Sequence, residues 1–222
     1  MTPSALTIET SDKDWLAKTL EMDIIFGRLY PNQRLIEDEL MDRFGQSRHR
    51  VRRAIDTLVL GGLAIREVNK GAHVCSYSGT EIEQMYELRN ILHAAALERI
   101  DFPLSAEALQ DLRDIHDAHG AAIAAQDFPQ VFQLNNAFHK RIFACCGSPV
   151  LCEAISVQAR RTYPIRSLNF HQSGFLEETQ AEHAQMIGAL EAGNLAVLIP
   201  LHAEHILRPM QAYLAQYDLG RG

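Results

Sequence analysis

The sequence predicts a mainly α protein in two modules. Residues 1–77 read as a winged helix-turn-helix with a two-stranded β-wing, and residues 78–222 as an all-α helical bundle. Three observations carry this expectation. Apolar residues recur at helical spacing almost throughout and give way to short strand-like runs at one place, near residues 63–75. Four arginines and a histidine crowd into residues 48–53 of a chain with formal net charge -7. Charge also divides the chain: residues 1–78 hold 11 basic and 11 acidic side chains, and residues 79–222 hold 10 and 17.

The elements follow in order. Ser11 is placed to cap a helix from Asp12 whose inward face is Trp15, Leu16, Leu20, Ile24 and Ile25. Gly27 and the Tyr30-Pro31-Asn32 turn end it. A short helix over 37–44 turns Leu40, Met41 and Phe44 inward and stops at Gly45. Ser47 is a fitting N-cap for a third helix, 48–60, with Val51, Ala54, Ile55 and Leu58 on one face. Gly61-Gly62 ends that helix. Strands at 63–66 and 72–75 follow, joined by the turn residues Asn69, Lys70 and Gly71.

The third helix carries the basic cluster. At 100° per residue, His49, Arg52 and Arg53 lie opposite its apolar face, with Arg48 and Arg50 flanking at the first turn. A guanidinium fork matches phosphate oxygens and guanine edges in the major groove. Two helices joined by a tight turn, the second one basic, describe a helix-turn-helix. The hairpin is then a wing, with Lys70 and Gly71 at its tip. The expected partner is double-stranded DNA, met by Ser47, Arg48, His49, Arg50, Arg52, Arg53, Lys70 and Gly71.

The second module reads as six helices: 80–99 capped by Thr80, 105–125 capped by Ser105, 128–146, 149–162, 175–192 and 195–217. Asn135 and His139 are i, i+4 on one of them, while His183 and His205 stand on the last two. One imidazole on an apolar face is usually a core histidine. Three on separate helices with an amide one turn away can converge on a metal, although spacing alone does not decide it.

Composition narrows the classes. Hydrophobic residues make up 47% and charged residues 22%, as in soluble globular proteins. No apolar run approaches a membrane span, and the first residues have no secretory-signal pattern. The four cysteines form no CxxC motif and read as reduced thiols, so the expected compartment is the cytoplasm. Neither HExxH nor GxSxG is present, which disfavours a metal-dependent hydrolase.

The run GRLYPNQRLIEDELMDRFGQSRHRVRRAIDTLVLGGLAIREVNKGAHV resembles the winged-helix domain of the GntR family of bacterial repressors. That pattern runs P-G-x-x-L-x-E-x-x-L-A, then G-V-S-R-T-P-V-R-E-A-L, then a wing with R-G-x-x-V. The resemblance puts Arg48 and Arg52 at its two DNA-contacting arginines. Asn32 replaces the turn glycine, His49-Arg50 replace Thr-Pro, and Arg53 replaces Glu. Asp38 stands where some members carry a DNA-contacting arginine. These departures bear on which operator is read.

Residues 83–214 resemble the FCD domain, the effector-binding bundle of the FadR branch, through YELRNILHAAALERI, NNAFHKRIFACCGSPVL and EHAQMIGALEAGNLAVLIPLHAEH. Metal-binding members use D-x-x-F-H and two later histidines 22 residues apart. Here Phe138-His139 matches, His183 and His205 keep that spacing, and Asn135 takes the Asp position. The resemblance implies a metal held by Asn135, His139, His183 and His205. Nitrogen ligands suit Zn²⁺ or Ni²⁺. It also implies a small carboxylate gripped by Arg89, with His93 as an effector contact at the family's usual Glu position, making the pocket more cationic. Arg160 and Arg161 are further effector-contact candidates, although one helix face cannot turn both inward, and Arg160 is the one expected there. His202, one turn before His205, is expected to be a supporting or structural residue and not a ligand.

The expected function is a ligand-responsive transcriptional regulator, a repressor by family default, acting as a homodimer on two half-sites. The alternatives are a metal-free FCD regulator of a larger effector, such as an acyl thioester, and a metal-dependent hydrolase.

Overall fold

The computed structural model describes residues 14–68 and 70–217. The expected Ser11 cap and the wing residue Asn69 lie outside them. The chain separates into two compact units, Met1–Ser76 and Tyr77–Gly222.

The first unit contains α1 (Trp15–Ile25), β1 (Arg34–Leu35), α2 (Glu37–Phe44), α3 (Arg48–Leu60), β2 (Ala64–Glu67) and β3 (Gly71–Val74). Leu20, Ile24, Leu35, Val51, Ile55, Leu58, Leu63 and Val74 close its core. Buried Asp23 accepts hydrogen bonds from Arg28 and Arg43, which ties α1 to α2. Gly45 ends α2 at φ +62°, a left-handed conformation that costs glycine least. The sheet has three strands in the order β1-β3-β2, all antiparallel, with Leu35 opposite Ala72 and Arg66 opposite Ala72 on the other side. The wing hairpin is as expected. The extra strand β1 is two residues long and exists only as a partner for β3.

Ser47 stands at the N-cap of α3, but its side chain makes no capping bond. Its place at the start of the helix is as expected; the side-chain capping bond that this residue type favours is absent.

The second unit is helical: α4 (Gly79–Leu97), α5 (Ala106–Ala124), α6 (Phe128–Ala144), α7 (Pro149–Arg161), α8 (Tyr163–Ser167), a 3₁₀ turn (Leu168–His171), α9 (Phe175–Glu191) and α10 (Leu195–Tyr217). The cap of α4 is Ser78, not Thr80. Ser78 Oγ accepts from Glu81 N at 3.3 Å, and Ser78 N donates to Glu81 Oε2 at 2.8 Å. This Ser-x-x-Glu box satisfies two first-turn donors at once, and Thr80 lies inside the helix it starts. Ser105, Asp127 and Ser148 cap α5, α6 and α7 in the same side-chain manner. Helix α5 packs on α6 and α9, α10 on α4 and α9, and α7 on α4. Leu97, Leu112, Phe138, Ile142, Met186 and Leu198 fill the centre. Among the described residues, no helix is long and apolar enough to cross a membrane.

Candidate nucleic-acid interface and metal centre

Helix α3 buries Val51, Ala54, Ile55 and Leu58 and leaves Ser47, Arg48, His49, Arg50, Arg52 and Arg53 exposed. The apolar stripe fixes the helix on the core, and the same periodicity turns the cations outward. Those cations are not loose. Arg52 Nε donates to both carboxylate oxygens of Glu37, at 2.8 and 3.0 Å. Arg48 Nη2 reaches Asp38 at 2.6 Å, Arg50 Nη1 reaches Gln46 at 2.9 Å, and Arg53 Nη2 reaches Asp14 at 3.0 Å. Glu37 also pushes the Arg52 pKa further up, through the hydrogen bond first and charge second. Exposed ion pairs of this kind are weak and screened by salt. They hold the guanidinium groups in place and cost little free energy to separate. At the wing, Lys70 Nζ lies 2.6 Å from Glu67, and the Lys70 carbonyl accepts from Arg34 Nη2 at 3.0 Å. Gly71 opens β3 at φ +81°.

In the helical unit, six imidazoles gather in the interior: His93 from α4, His119 from α5, His139 from α6, His183 from α9, and His202 and His205 from α10. His139, His183 and His205 each offer a nitrogen within 4.8 Å of the other two. Nε2 of His139 lies 3.0 Å from Nε2 of His205. Roughly 3 Å is the separation of two nitrogens each about 2.1 Å from one ion at a right angle. His183 is stacked on Phe138, with centroids 4.1 Å apart, so its ring plane is fixed. Both of its nitrogens are buried without a partner, as is Nδ1 of His139. Burial pushes the pKa of His139 and His183 well below 6.5, which keeps them neutral and able to ligate. His205 is lowered as well, by burial first, against the opposing pull of Glu182.

Nδ1 of His205 donates to Glu182 Oε2 at 2.6 Å, and Arg208 clamps the same carboxylate at 2.9 Å. The carboxylate assigns the proton to Nδ1 and leaves the Nε2 lone pair facing His139, available to a metal. Hydrogen bonds from His205 and Arg208 hold the Glu182 carboxyl down at about 2, against burial, which acts the other way. The sequence reading missed Glu182 because it sits about 100° around α9 from His183. It faces α10 instead, where His205 comes to meet it. His202, expected to be either a supporting or a structural residue, makes no hydrogen bond and packs edge-on to His93 and His139, the structural role. Asn135 is buried, its amide nitrogen unpartnered, and it lines a narrow cleft with His119, Arg166 and His205. The donor set fits a divalent metal: orphaned imidazole nitrogens, one oriented by a carboxylate, with an amide beside them.

His139 and His205 of this cluster form part of the wall of a cavity of about 370 Å³. Arg89, His93, His139, Lys140, Arg166 and His205 line it along with apolar groups such as Phe143 and Ile155. Arg89 is buried, and its Nη1 donates to Thr162 Oγ1 at 2.8 Å. Its Nε has no partner. Arg160 does not line the cavity. Arg166 on α8 does, because the chain turns after α7 and brings the later arginine inward.

Comparison with known proteins agrees with this geometry. Residues 13–74 match the profile of bacterial regulatory proteins of the gntR family, and residues 84–208 match the FCD domain. An uncharacterised HTH-type transcriptional regulator in the TAR-I ttuE-ttuC' intergenic region of Agrobacterium vitis is 34% identical over 120 residues, 53% of this chain and 70% of that protein. A GntR regulator from Rhodococcus sp. RHA1 has a similar fold at TM-score 0.70 and 23% identity, over 93% of this chain and 99% of that one. E. coli McbR/YncC is similar at TM-score 0.73 and 22% identity, over 94% and 99%. This chain therefore belongs to the GntR family of bacterial regulatory proteins, carries an FCD domain, and is a transcriptional regulator and not an enzyme.

Proposed function

We propose that this regulator is a homodimeric cytoplasmic repressor, released from operator DNA by a small carboxylate bound beside a divalent metal, Zn²⁺ or Ni²⁺, in the FCD domain. One observation carries the reading: His139, His183 and His205 converge, with Glu182 behind His205, and His139 and His205 also line a cavity that holds the buried Arg89. Imidazole nitrogens favour Zn²⁺ or Ni²⁺ over Mg²⁺ or Ca²⁺. Bound there, the metal supplies a Lewis-acidic site for a carboxylate oxygen. Arg89 binds the acid through its free guanidinium edge, Asn135 offers a neutral fourth donor, and His93 closes the apolar wall. On the DNA side, Arg48 and Arg52 read base edges while His49, Arg50, Arg53, Lys70 and Gly71 contact the backbone. Two half-sites need two copies.

The test is fluorescence anisotropy of the metal-loaded full chain on DNA from upstream of its own coding region, with and without a panel of small acids. An active acid should weaken binding by about 5–150-fold, the usual range of allosteric coupling, and chelation should remove the response. A response that survives both chelation and His139→Ala points instead to a metal-free effector such as an acyl thioester.

A further inference from the structure

The cavity carries more positive charge than one carboxylate can balance. Arg89, Lys140 and Arg166 are the cations of its lining, and Glu153 is its one acidic residue. Neither arginine is ion-paired among the described residues. Arg89 has Thr162 as its partner, and Arg166 Nη2 donates to the neutral Asn136 Oδ1 at 2.8 Å. Both Nε groups are buried and unsatisfied. Each guanidinium instead lies against an aromatic ring, Arg89 4.9 Å from the Tyr86 centroid and Arg166 5.1 Å from that of Phe132. Burial depresses the pKa of both, Arg166 to about 10, and the Arg89 charge lowers Arg166 further. A buried charge with no counter-ion is costly, and two side by side cost more. The fold holds them without a neutralising group of its own, so the counter-charge comes with the ligand.

We infer that the cavity takes a compact dianion with two acidic groups, the first at the histidine cluster and the second held between Arg89 and Arg166. This rests on the carboxylate reading above and adds a second acid-binding position, with Arg166 as its specificity-determining residue. Guanidinium forks bind carboxylate and phosphate alike in bidentate fashion, so the second group is either one. Phe143, Ile155 and Tyr163 add apolar surface to the cavity lining. A short apolar spacer fits there.

The experiment is isothermal titration of the full-length, zinc-reconstituted protein with matched pairs: propionate against succinate, butyrate against glutarate, and glycolate against phosphoglycolate. The inference expects at least one diacid to bind tenfold or more tighter than its monoacid. Whether the dicarboxylates or phosphoglycolate lead tells which group the arginines prefer. In Arg166→Met, the diacid should fall to the level of its monoacid, while the monoacid stays within about twofold and the zinc content is unchanged. Arg166→Gln keeps a donor for Asn136 and replaces the first variant if it does not fold. Equal affinity for mono- and diacids in the wild type overturns the inference and leaves the metal-carboxylate reading standing. Equal losses for both acids in either variant also overturn it. If no acid of either kind binds, both readings fail together.

Discussion

His205 and Glu182 stand on adjacent helices with Nδ1 and Oε2 2.6 Å apart, the carboxylate held from behind by Arg208. The contact orients a core histidine in the way that metal ligation requires, because it fixes both the ring plane and the position of the proton. Supporting partners of this kind typically account for 10–100-fold in metal affinity. Glu182→Gln should therefore weaken Zn²⁺ binding by about that factor. Competition against a fluorescent chelator measures it; affinity equal to wild type would show that the carboxylate only braces Arg208.

DNA affinity depends on guanidinium groups that are already paired. Arg52→Ala should lower operator affinity about ten- to a hundredfold if the side chain reads a base. Asp38→Asn should act the other way. It leaves Arg48 with only its 3.5 Å contact to Glu37 and removes a carboxylate charge from the surface beside α3, so binding to any duplex should tighten and the salt dependence steepen. Anisotropy titrations at several salt concentrations give both results, and unchanged affinity in Arg52→Ala and Arg48→Ala together removes α3 from the role assigned to it.

The buried imidazoles make the metal-free protein sensitive to acid. His119 is fully buried, and burial lowers its pKa to about 4. Below the ordinary value near 6.5 the unfolded chain takes up the proton and the folded chain does not. Stability is therefore lost as the pH falls from 6.5 towards 4, by roughly 1.4 kcal/mol per pH unit through this one side chain. His139, His183 and His202 shift in the same direction. Urea midpoints of the metal-free protein should fall steeply across this window; a flat profile would mean that these rings are already solvated.

The Ser78–Glu81 box starts the first helix of the FCD domain. Ser78→Ala should cost about 1 kcal/mol, lowering Tm by roughly 2–4 °C without changing metal content. Differential scanning calorimetry with elemental analysis separates the two effects.

Much of the fold was legible in the sequence because its punctuation is strong. Gly45, Gly61-Gly62, Gly147-Ser148-Pro149 and Gly193-Asn194 stand at helix ends. What escaped was set by tertiary contact. Strand β1 is two residues with no pattern of its own, defined by pairing to β3. The segment 163–171 is a short helix and a 3₁₀ turn, too brief for periodicity, with Pro164 reading as a break. Missing it hid Arg166 and left Arg160 as the apparent candidate. The histidine trio is different. Each residue was visible, but their meeting depends on how α6, α9 and α10 pack, and so does the choice of Glu182 over His202 as the supporting group.

The measurement closest to the central claim is metal content after reconstitution and gel filtration, by elemental mass spectrometry, for the wild type, His139→Ala and His183→Ala. The account predicts stoichiometric Zn²⁺ or Ni²⁺ in the wild type and none in either folded variant. A wild type that holds no metal, or variants that hold as much as it does, would contradict it.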